Sequence, residues 1–171
     1  PVEGTDIEVN IWTMPAVFVL ETRMPDGMVE DLNTYLDDLR EQADKESLAH
    51  SLVGQIAHGE QLNMDPEHEK VRQYSKFVTL LGAQYINHFM KSTGQSLPKN
   101  RQVSIDETWS VHSYAGDYNP IHDHGTKTIM GISTTCWTKV PQQILDQPAA
   151  GSPMYNKYES SGACDGYLAF N

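Results

Sequence analysis

Long apolar runs are missing from this sequence, and so is an excess of basic residues. No stretch approaches the roughly 20 consecutive apolar residues that a membrane-spanning helix needs, so we expect no membrane span. Twelve Lys and Arg residues stand against 23 Asp and Glu residues, which gives a formal net charge of −11 at pH 7. Such a charge repels phosphate backbones and anionic lipid. The composition therefore argues against nucleic-acid and membrane-surface partners and favours neutral or cationic ones.

Cysteine is also scarce. Cys136 and Cys164 form neither a Cys-x-x-Cys pair nor a disulfide framework. A reducing cytoplasm is the simplest location for such a protein. What remains is a chain of 171 residues with 39% hydrophobic and 20% charged residues. This is long enough for one compact domain, 1–171, with its own core.

The first part of the chain mixes short β-prone runs with helical periodicity. The runs at 7–12 and 16–22 predict two strands. Apolar residues then recur at helical spacing over 28–43, with Asp26 as the expected cap. Residues 47–64 are less regular, and we interpret them as a partly ordered loop.

A longer helix is predicted next. Asp65 is the expected N-cap, and Lys91 and Gly94 mark the expected end. Apolar residues follow one another at steps of three and four along this segment, as on the buried face of a helix: Val71, Tyr74, Val78, Leu81, Tyr85 and Phe89. We expect residues 1–98 to support a β-rich core that begins at residue 99.

After Pro98 the period changes from helical to alternating. Over 103–114 the odd positions, from Val103 to Val111, are expected to pack inward, and the even positions are expected to form a polar face that ends in His112 and Tyr114. Residues 129–140 predict another strand, 141–166 a loop, and 166–171 the opening of one more strand.

The most distinctive stretch is Gly116–Gly125, which contains His122 and His124. Successive side chains of a strand point to opposite faces, so these two histidines share a face. Two imidazoles placed this way can bind one metal ion, and imidazole suits Fe, Zn, Cu or Ni. The alternative is a polar loop whose histidines are solvated. The surrounding pattern predicts an α+β chain with a β-sandwich or barrel core.

Two known families share features of this stretch. Gly116 followed by His122 and His124 matches the first half of the cupin pattern, but no acidic residue stands near Thr128 where cupins place a Glu. The stretch resembles more closely the small, prolyl-hydroxylase-like 2-oxoglutarate- and Fe(II)-dependent oxygenases of phages and bacteria. Within 103–141, the likeness rests on Thr108-Trp109-Ser110-Val111-His112-Ser113-Tyr114-Ala115-Gly116, Tyr118-Asn119-Pro120-Ile121-His122-Asp123-His124, Gly131-Ile132-Ser133, Trp137 and Val140-Pro141.

The resemblance implies a double-stranded β-helix, a jelly-roll and cupin-like core, with N-terminal helices packed on one sheet. It implies Fe(II) as cofactor, 2-oxoglutarate as cosubstrate, and hydroxylation of a peptide or a small molecule. His122 and His124 match metal ligands of the family, and Tyr114 and Asn119 are candidates for contact with the cosubstrate. No catalytic residue beyond the metal ligands is implied.

The sequence departs from the family pattern at its end. The family uses a third, distal His ligand and a basic residue that pairs with 2-oxoglutarate, yet no His follows His124 and no Arg follows Arg101. We expect the remaining strands and the third ligand to lie beyond Asn171. Two alternatives stay open: a cupin-like metal-binding protein that does not use 2-oxoglutarate, and a non-catalytic β-rich structural or interaction module.

Overall fold

A computed structural model describes residues 9–13, 18–51, 54, 56–96, 99, 102–120 and 131–146. In these ranges the chain combines two long helices with two small antiparallel sheets. The mixed helix-and-strand composition predicted from the sequence is confirmed at this level. The chain divides into two compact units, Pro1–Thr134 and Thr135–Asn171.

The first sheet is a hairpin of β1 (Val9–Thr13) and β2 (Phe18–Thr22). The strands pair in an antiparallel register that places Ile11 opposite Leu20. Strand β2 falls within the predicted run 16–22, and β1 overlaps the predicted run 7–12 and extends one residue beyond it, so the two predicted strands are confirmed.

Helix α1 (Asp26–Glu41) begins two residues before the predicted segment. Pro25, rather than Asp26, is the N-cap residue, and its carbonyl accepts hydrogen bonds from the N–H groups of Met28 and Val29. Asp26 instead pairs with Arg23 at 2.9 Å, and both side chains are exposed. An exposed pair of this kind contributes little to stability.

Helix α2 (Glu69–Ser92) is the long predicted helix, and it ends two residues before Gly94. Its N-cap is His68, not Asp65, because Asp65 forms a turn of its own: its Oδ1 accepts from the Glu67 N–H at 2.9 Å. The Nδ1 atom of His68 then accepts from the Lys70 N–H at 3.3 Å. The helix therefore starts four residues after the predicted cap.

The core of the first unit lies where α1 meets the start of α2. It consists of Met24, Leu32, Tyr35, Met64 and Val71, and partly buried side chains of both helices pack around it. Val71 is fully buried, which is worth about 1.5–3 kcal/mol relative to an exposed valine. No helix among the described residues is both long enough and apolar enough to cross a bilayer.

Tyrosine hydroxyls connect these helices to the segments beside them. The Tyr35 hydroxyl accepts a hydrogen bond from the Asp65 N–H at 2.8 Å, and burial raises the pKa of this phenol. The Tyr85 hydroxyl donates to the Phe18 carbonyl at 2.9 Å, which ties α2 to the hairpin. The Phe18 ring also meets the Phe89 ring edge to face, with centroids 5.0 Å apart. The buried stripe of α2 is thus held at both ends.

The second sheet pairs β3 (Glu60–Asn63) with β4 (Trp109–His112) in antiparallel register. Strand β3 lies in the segment that the sequence predicts as a partly ordered loop, so that prediction is wrong for these four residues. Leu62, at its centre, is 1% exposed. Segment 47–51 also contains a 3₁₀ turn, Ala49–Ser51.

Strand β4 reverses part of the predicted alternation. Val103 and Ile105 are half-buried, as the pattern predicts. Beyond them, however, Ser110 is buried at 8% exposure and Val111 is 51% exposed. Two exposed residues in succession, Asp106 and Glu107, change the phase of the alternation. The face that carries Ser110 and His112 is therefore the more buried one in β4.

The segment after the histidine pair differs from its prediction. Residues 131–140 form no strand, and most of them are exposed. In the second unit, a short helix α3 (Gln142–Leu145) follows Pro141, inside the predicted loop. The predicted strand opening at 166–171 lies outside the described residues.

Candidate functional site

The turn that follows β4 leads toward the histidine pair, and its backbone is well defined by hydrogen bonds. The Asp117 N–H donates to the Tyr114 carbonyl at 3.0 Å, which closes a four-residue turn. Gly116 adopts a φ of 92° at the third position of that turn. A positive φ at this position is typical of a type II turn and favours glycine. The turn conformation therefore explains why a glycine is favoured at position 116.

The Asp117 carboxylate joins this turn to a second segment, 56–59. Its Oδ1 accepts from the Ala57 N–H at 2.8 Å and from the His58 N–H at 3.2 Å. Its Oδ2 accepts from the Tyr114 N–H at 2.9 Å. The bond from Tyr114 is the largest of the causes that hold the pKa of this carboxyl below its ordinary value, and the bonds from His58 and Ala57 act in the same direction. Three backbone donors favour the ionised form.

Two glycines allow this second segment to approach the turn closely. A Cβ atom on Gly59 would lie 2.5 Å from the His112 carbonyl oxygen and 2.6 Å from Asp117 Oδ2. A Cβ atom on Gly54 would overlap the Tyr118 carbonyl oxygen. Neither position has room for a side chain. The backbone at Gly54 and at 56–59 therefore lies against residues 112–118.

A charged cluster lies beside Tyr114. The Arg40 guanidinium, in the last turn of α1, donates from Nη2 to the Tyr114 hydroxyl at 2.5 Å. Its Nε lies 3.6 Å from Glu60 Oε2, at the start of β3. Lys45 Nζ pairs with Glu60 Oε1 at 2.8 Å and also donates to the Arg40 carbonyl. The Lys45 hydrogen bond, more than the Arg40 charge, holds the pKa of Glu60 below its ordinary value.

His112 lies at the end of β4, next to this cluster, and half of it is buried. Its Nε2 is 3.0 Å from Ser110 Oγ, which in turn donates to the Leu62 carbonyl at 3.4 Å. Burial is the main cause of the lowered pKa of His112, and the positive charge of Arg40 adds to it. Both effects favour the neutral imidazole. His112 thus belongs to a hydrogen-bonded chain between two strands.

The residues predicted from the sequence divide into two groups. Tyr114 is 49% exposed, with its hydroxyl on Arg40, and Asn119 is exposed two residues after Asp117. His122 and His124, the predicted metal ligands, lie outside the described residues. Among the residues that are described, no group of three or more His, Cys, Asp or Glu side chains is arranged to hold a metal ion.

Arg40, Lys45, Glu60 and Asp117 carry no role in the sequence-based prediction. For Asp117 a signal exists, since Asp beside Gly is common in turns where its carboxylate binds nearby backbone N–H groups. The other three residues come from separate elements, and no local spacing relates them to Tyr114. Comparison of the chain with protein-family models, with curated proteins and with solved structures gave no match.

Proposed function

We propose that this chain belongs to an Fe(II)- and 2-oxoglutarate-dependent dioxygenase that hydroxylates a peptide or a small molecule. The observation that carries the proposal is the order of strand, glycine turn and Asn-Pro-x-His-x-His over 109–124. Support comes from β4 and from the turn at Gly116, which Asp117 holds immediately before Asn119-Pro120. In this proposal β4 is a strand of a double-stranded β-helix, with α1 and α2 as its supporting helices.

The chemistry of the candidate residues fits this metal and this cosubstrate. His122 and His124 would hold Fe(II), for which imidazole is a suitable ligand. When bound, Fe(II) together with 2-oxoglutarate and O2 supplies the oxidising power, and the protein supplies binding and orientation. The Tyr114 hydroxyl accepts its hydrogen bond from Arg40, so its own proton is available to a carboxylate oxygen of 2-oxoglutarate. The exposed amide of Asn119 is a further candidate contact.

The net charge and the cysteine content support a proposal for the charge of the substrate and for the cellular location. A net charge of −11 favours a neutral or cationic substrate over a nucleic acid. We propose a cytoplasmic location, since a reducing compartment suits the two cysteines and preserves Fe(II).

The test uses the full-length gene product, purified without oxygen. Addition of Fe(II), 2-oxoglutarate and O2 should release CO2 and succinate, and omission of Fe(II) should abolish this turnover. His122→Ala and His124→Ala should each abolish metal binding and turnover. A protein that binds zinc at full occupancy and does not respond to 2-oxoglutarate would contradict the proposal and support the cupin-like metal-binding alternative. No metal binding at all would leave a non-catalytic module.

The cosubstrate contact has a test of its own. Tyr114→Phe should raise KM for 2-oxoglutarate by about 10- to 100-fold, since a hydrogen bond to a charged group is worth about 1.5–3 kcal/mol. Tyr118→Phe is the matched control, because Tyr118 is 63% exposed and lies four residues further along. Its KM should equal that of the wild type. Equal KM values for all three proteins would remove Tyr114 from the site.

A further inference from the structure

We propose that the end of α1 and the β3–β4 sheet meet at an acid-sensitive junction, which loosens when His112 takes up a proton. The junction consists of Arg40 in the last turn of α1, Lys45 shortly after it, Glu60 in β3 and His112 in β4. All four residues lie in the first unit. The proposal depends on neither a metal ion nor 2-oxoglutarate.

The hydrogen bonds of His112 determine which of its ring nitrogens carries the proton. A serine hydroxyl has a single proton, and Ser110 donates it to the Leu62 carbonyl at 3.4 Å. Ser110 Oγ therefore accepts from His112 Nε2, which lies 3.0 Å away. In the neutral ring Nδ1 is then free of a proton, so Nδ1 is the atom that gains one on acidification.

The surroundings of the ring disfavour a positive charge. Its hydrogen-bond partner Ser110 is 8% exposed, and Leu62, which accepts from Ser110, is 1% exposed. His112 itself is half-buried. Removal from water disfavours the charged form of an imidazole. Burial is accordingly the largest cause that lowers the pKa of His112 from its ordinary value of 6.5.

The charged groups around His112 come from three elements. Glu60 stands opposite it in β3, where its carboxylate binds Lys45 at 2.8 Å and lies 3.6 Å from Arg40 Nε. The carboxylates of Glu60 and of Asp37, in α1, favour a proton on the ring. The positive charges of Arg40 and Lys45 oppose it. Burial and the Arg40 charge outweigh the two acids, and the folded protein favours the neutral ring.

Arg40 connects the charge of His112 to the position of α1. Its guanidinium donates to the Tyr114 hydroxyl, two residues after His112, and its Nε lies beside Glu60, opposite His112. A positive imidazole would repel this guanidinium and compete with it for the Glu60 carboxylate. Protonation of His112 should therefore weaken the contact of the end of α1 with the sheet.

The pH range of the effect follows from the direction of the shift in the pKa of His112. In the unfolded chain an imidazole gains its proton as the pH falls through about 6.5, before the folded protein does. Below this pH the unfolded state binds more protons, so the stability of the fold falls until the folded protein is protonated as well. Glu60 keeps its charge near pH 6, because its pKa is lowered from 4.5. Arginine and lysine side chains stay positive throughout.

The experiment measures urea unfolding of the full-length protein from pH 8 to 5, with a chelator present so that no metal contributes. The urea midpoint of the wild type should fall below about pH 6.5. His112→Gln should show a smaller fall, since its amide N–H can donate to Ser110 but does not titrate. His58→Gln makes the same change at an exposed position and should follow the wild type. Parallel curves for the wild type and His112→Gln would overturn the proposal.

Amide hydrogen exchange locates the effect in the fold. Between pH 7 and 5 the protection factors of the β3 and β4 amides should fall several-fold relative to those of α2. In His112→Gln this relative fall should be absent. An equal loss of protection in α2 would indicate general destabilisation and would overturn the junction as its cause.

NMR titration of the His112 ring tests the same proposal in the wild type and decides it if His112→Gln does not fold. The ring should titrate below pH 6.5, and Arg40→Gln should move this titration upward, because it removes a positive charge. Lys70→Gln also removes a positive charge, but Lys70 pairs with Asp31 and is not among the groups that act on His112. It should leave the titration unchanged. A titration at or above pH 6.5, or one that does not respond to Arg40→Gln, would refute the junction.

Discussion

Gly59 offers the sharpest test of the contact between residues 56–59 and the turn after β4. A Cβ atom at this position would meet the His112 carbonyl oxygen at 2.5 Å, Asp117 Oδ2 at 2.6 Å and Ile56 Cγ2 at 3.0 Å. Distances below 3.0 Å are shorter than real Cβ contacts, and one of the two close atoms belongs to the backbone. Gly59→Ala therefore requires the two segments to separate.

The expected magnitude follows from two opposing effects. Forcing an extra carbon into a packed position costs about 1–3 kcal/mol. Replacing glycine also reduces the entropy of the unfolded chain, which returns about 0.4–1 kcal/mol. We expect Gly59→Ala to lower the free energy of unfolding by about 1–2 kcal/mol. In a chain of this length, each kcal/mol of lost stability should lower the Tm by about 2–4 °C.

Gly27→Ala is the matched control, since it makes the same chemical change. Gly27 lies in α1, and a Cβ atom there would meet no atom within 4 Å. Alanine in place of glycine in a helix should raise stability by about 0.5–1 kcal/mol. Urea unfolding followed by circular dichroism measures both variants. A Gly59→Ala protein as stable as the wild type would refute the close approach of the two segments.

Three further predictions concern other groups. Tyr35→Phe removes the acceptor of the Asp65 N–H and should lower the free energy of unfolding by about 1 kcal/mol; an unchanged urea midpoint would contradict this. Glu60→Gln should lower the free energy of unfolding by at most about 1 kcal/mol. The hydrogen bond from Lys45 lowers the pKa of Glu60 from its ordinary 4.5. The extra free energy of unfolding of the wild type over this variant should therefore be complete above about pH 4.5 and should vanish as the pH falls through the lowered pKa. Glu107→Gln, at an exposed position, is the control. Co(II) affinity should fall as the pH drops through about 6.5, because a ligating imidazole must be neutral; a flat profile from pH 8 to 5 would argue against a histidine site.

The helices were predictable because their signal is local. Apolar residues at steps of three and four place one face of each helix on the core. In α2, Val71 is the most buried residue of that face. The helix starts were harder to predict. Asp65 is a good cap residue in isolation, but its carboxylate binds Glu67 in a separate turn, and His68 caps the helix.

The strands were harder to predict than the helices, because they depend on partners far away in the sequence. β3 has one apolar residue, Leu62, within Glu60–Asn63, so its sequence resembles a loop. It is a strand because it pairs with β4, some 50 residues further along the chain. The faces of β4 were predicted from alternation alone, and the pattern changes phase at Asp106 and Glu107. Burial on a strand depends on which neighbour covers each face, and a single sequence does not contain that information.

The candidate site likewise combines local features that the sequence predicts with long-range contacts that it does not. By itself the sequence determined the two long helices, the two N-terminal strands, and a His-x-His stretch preceded by a glycine turn. Only the tertiary structure brought the Asp117 carboxylate to Ala57 and His58, and Arg40 to Tyr114. The physical reason is that periodicity and turn chemistry act between residues a few positions apart. Contacts across 60 or 74 positions depend on how the folded elements pack together.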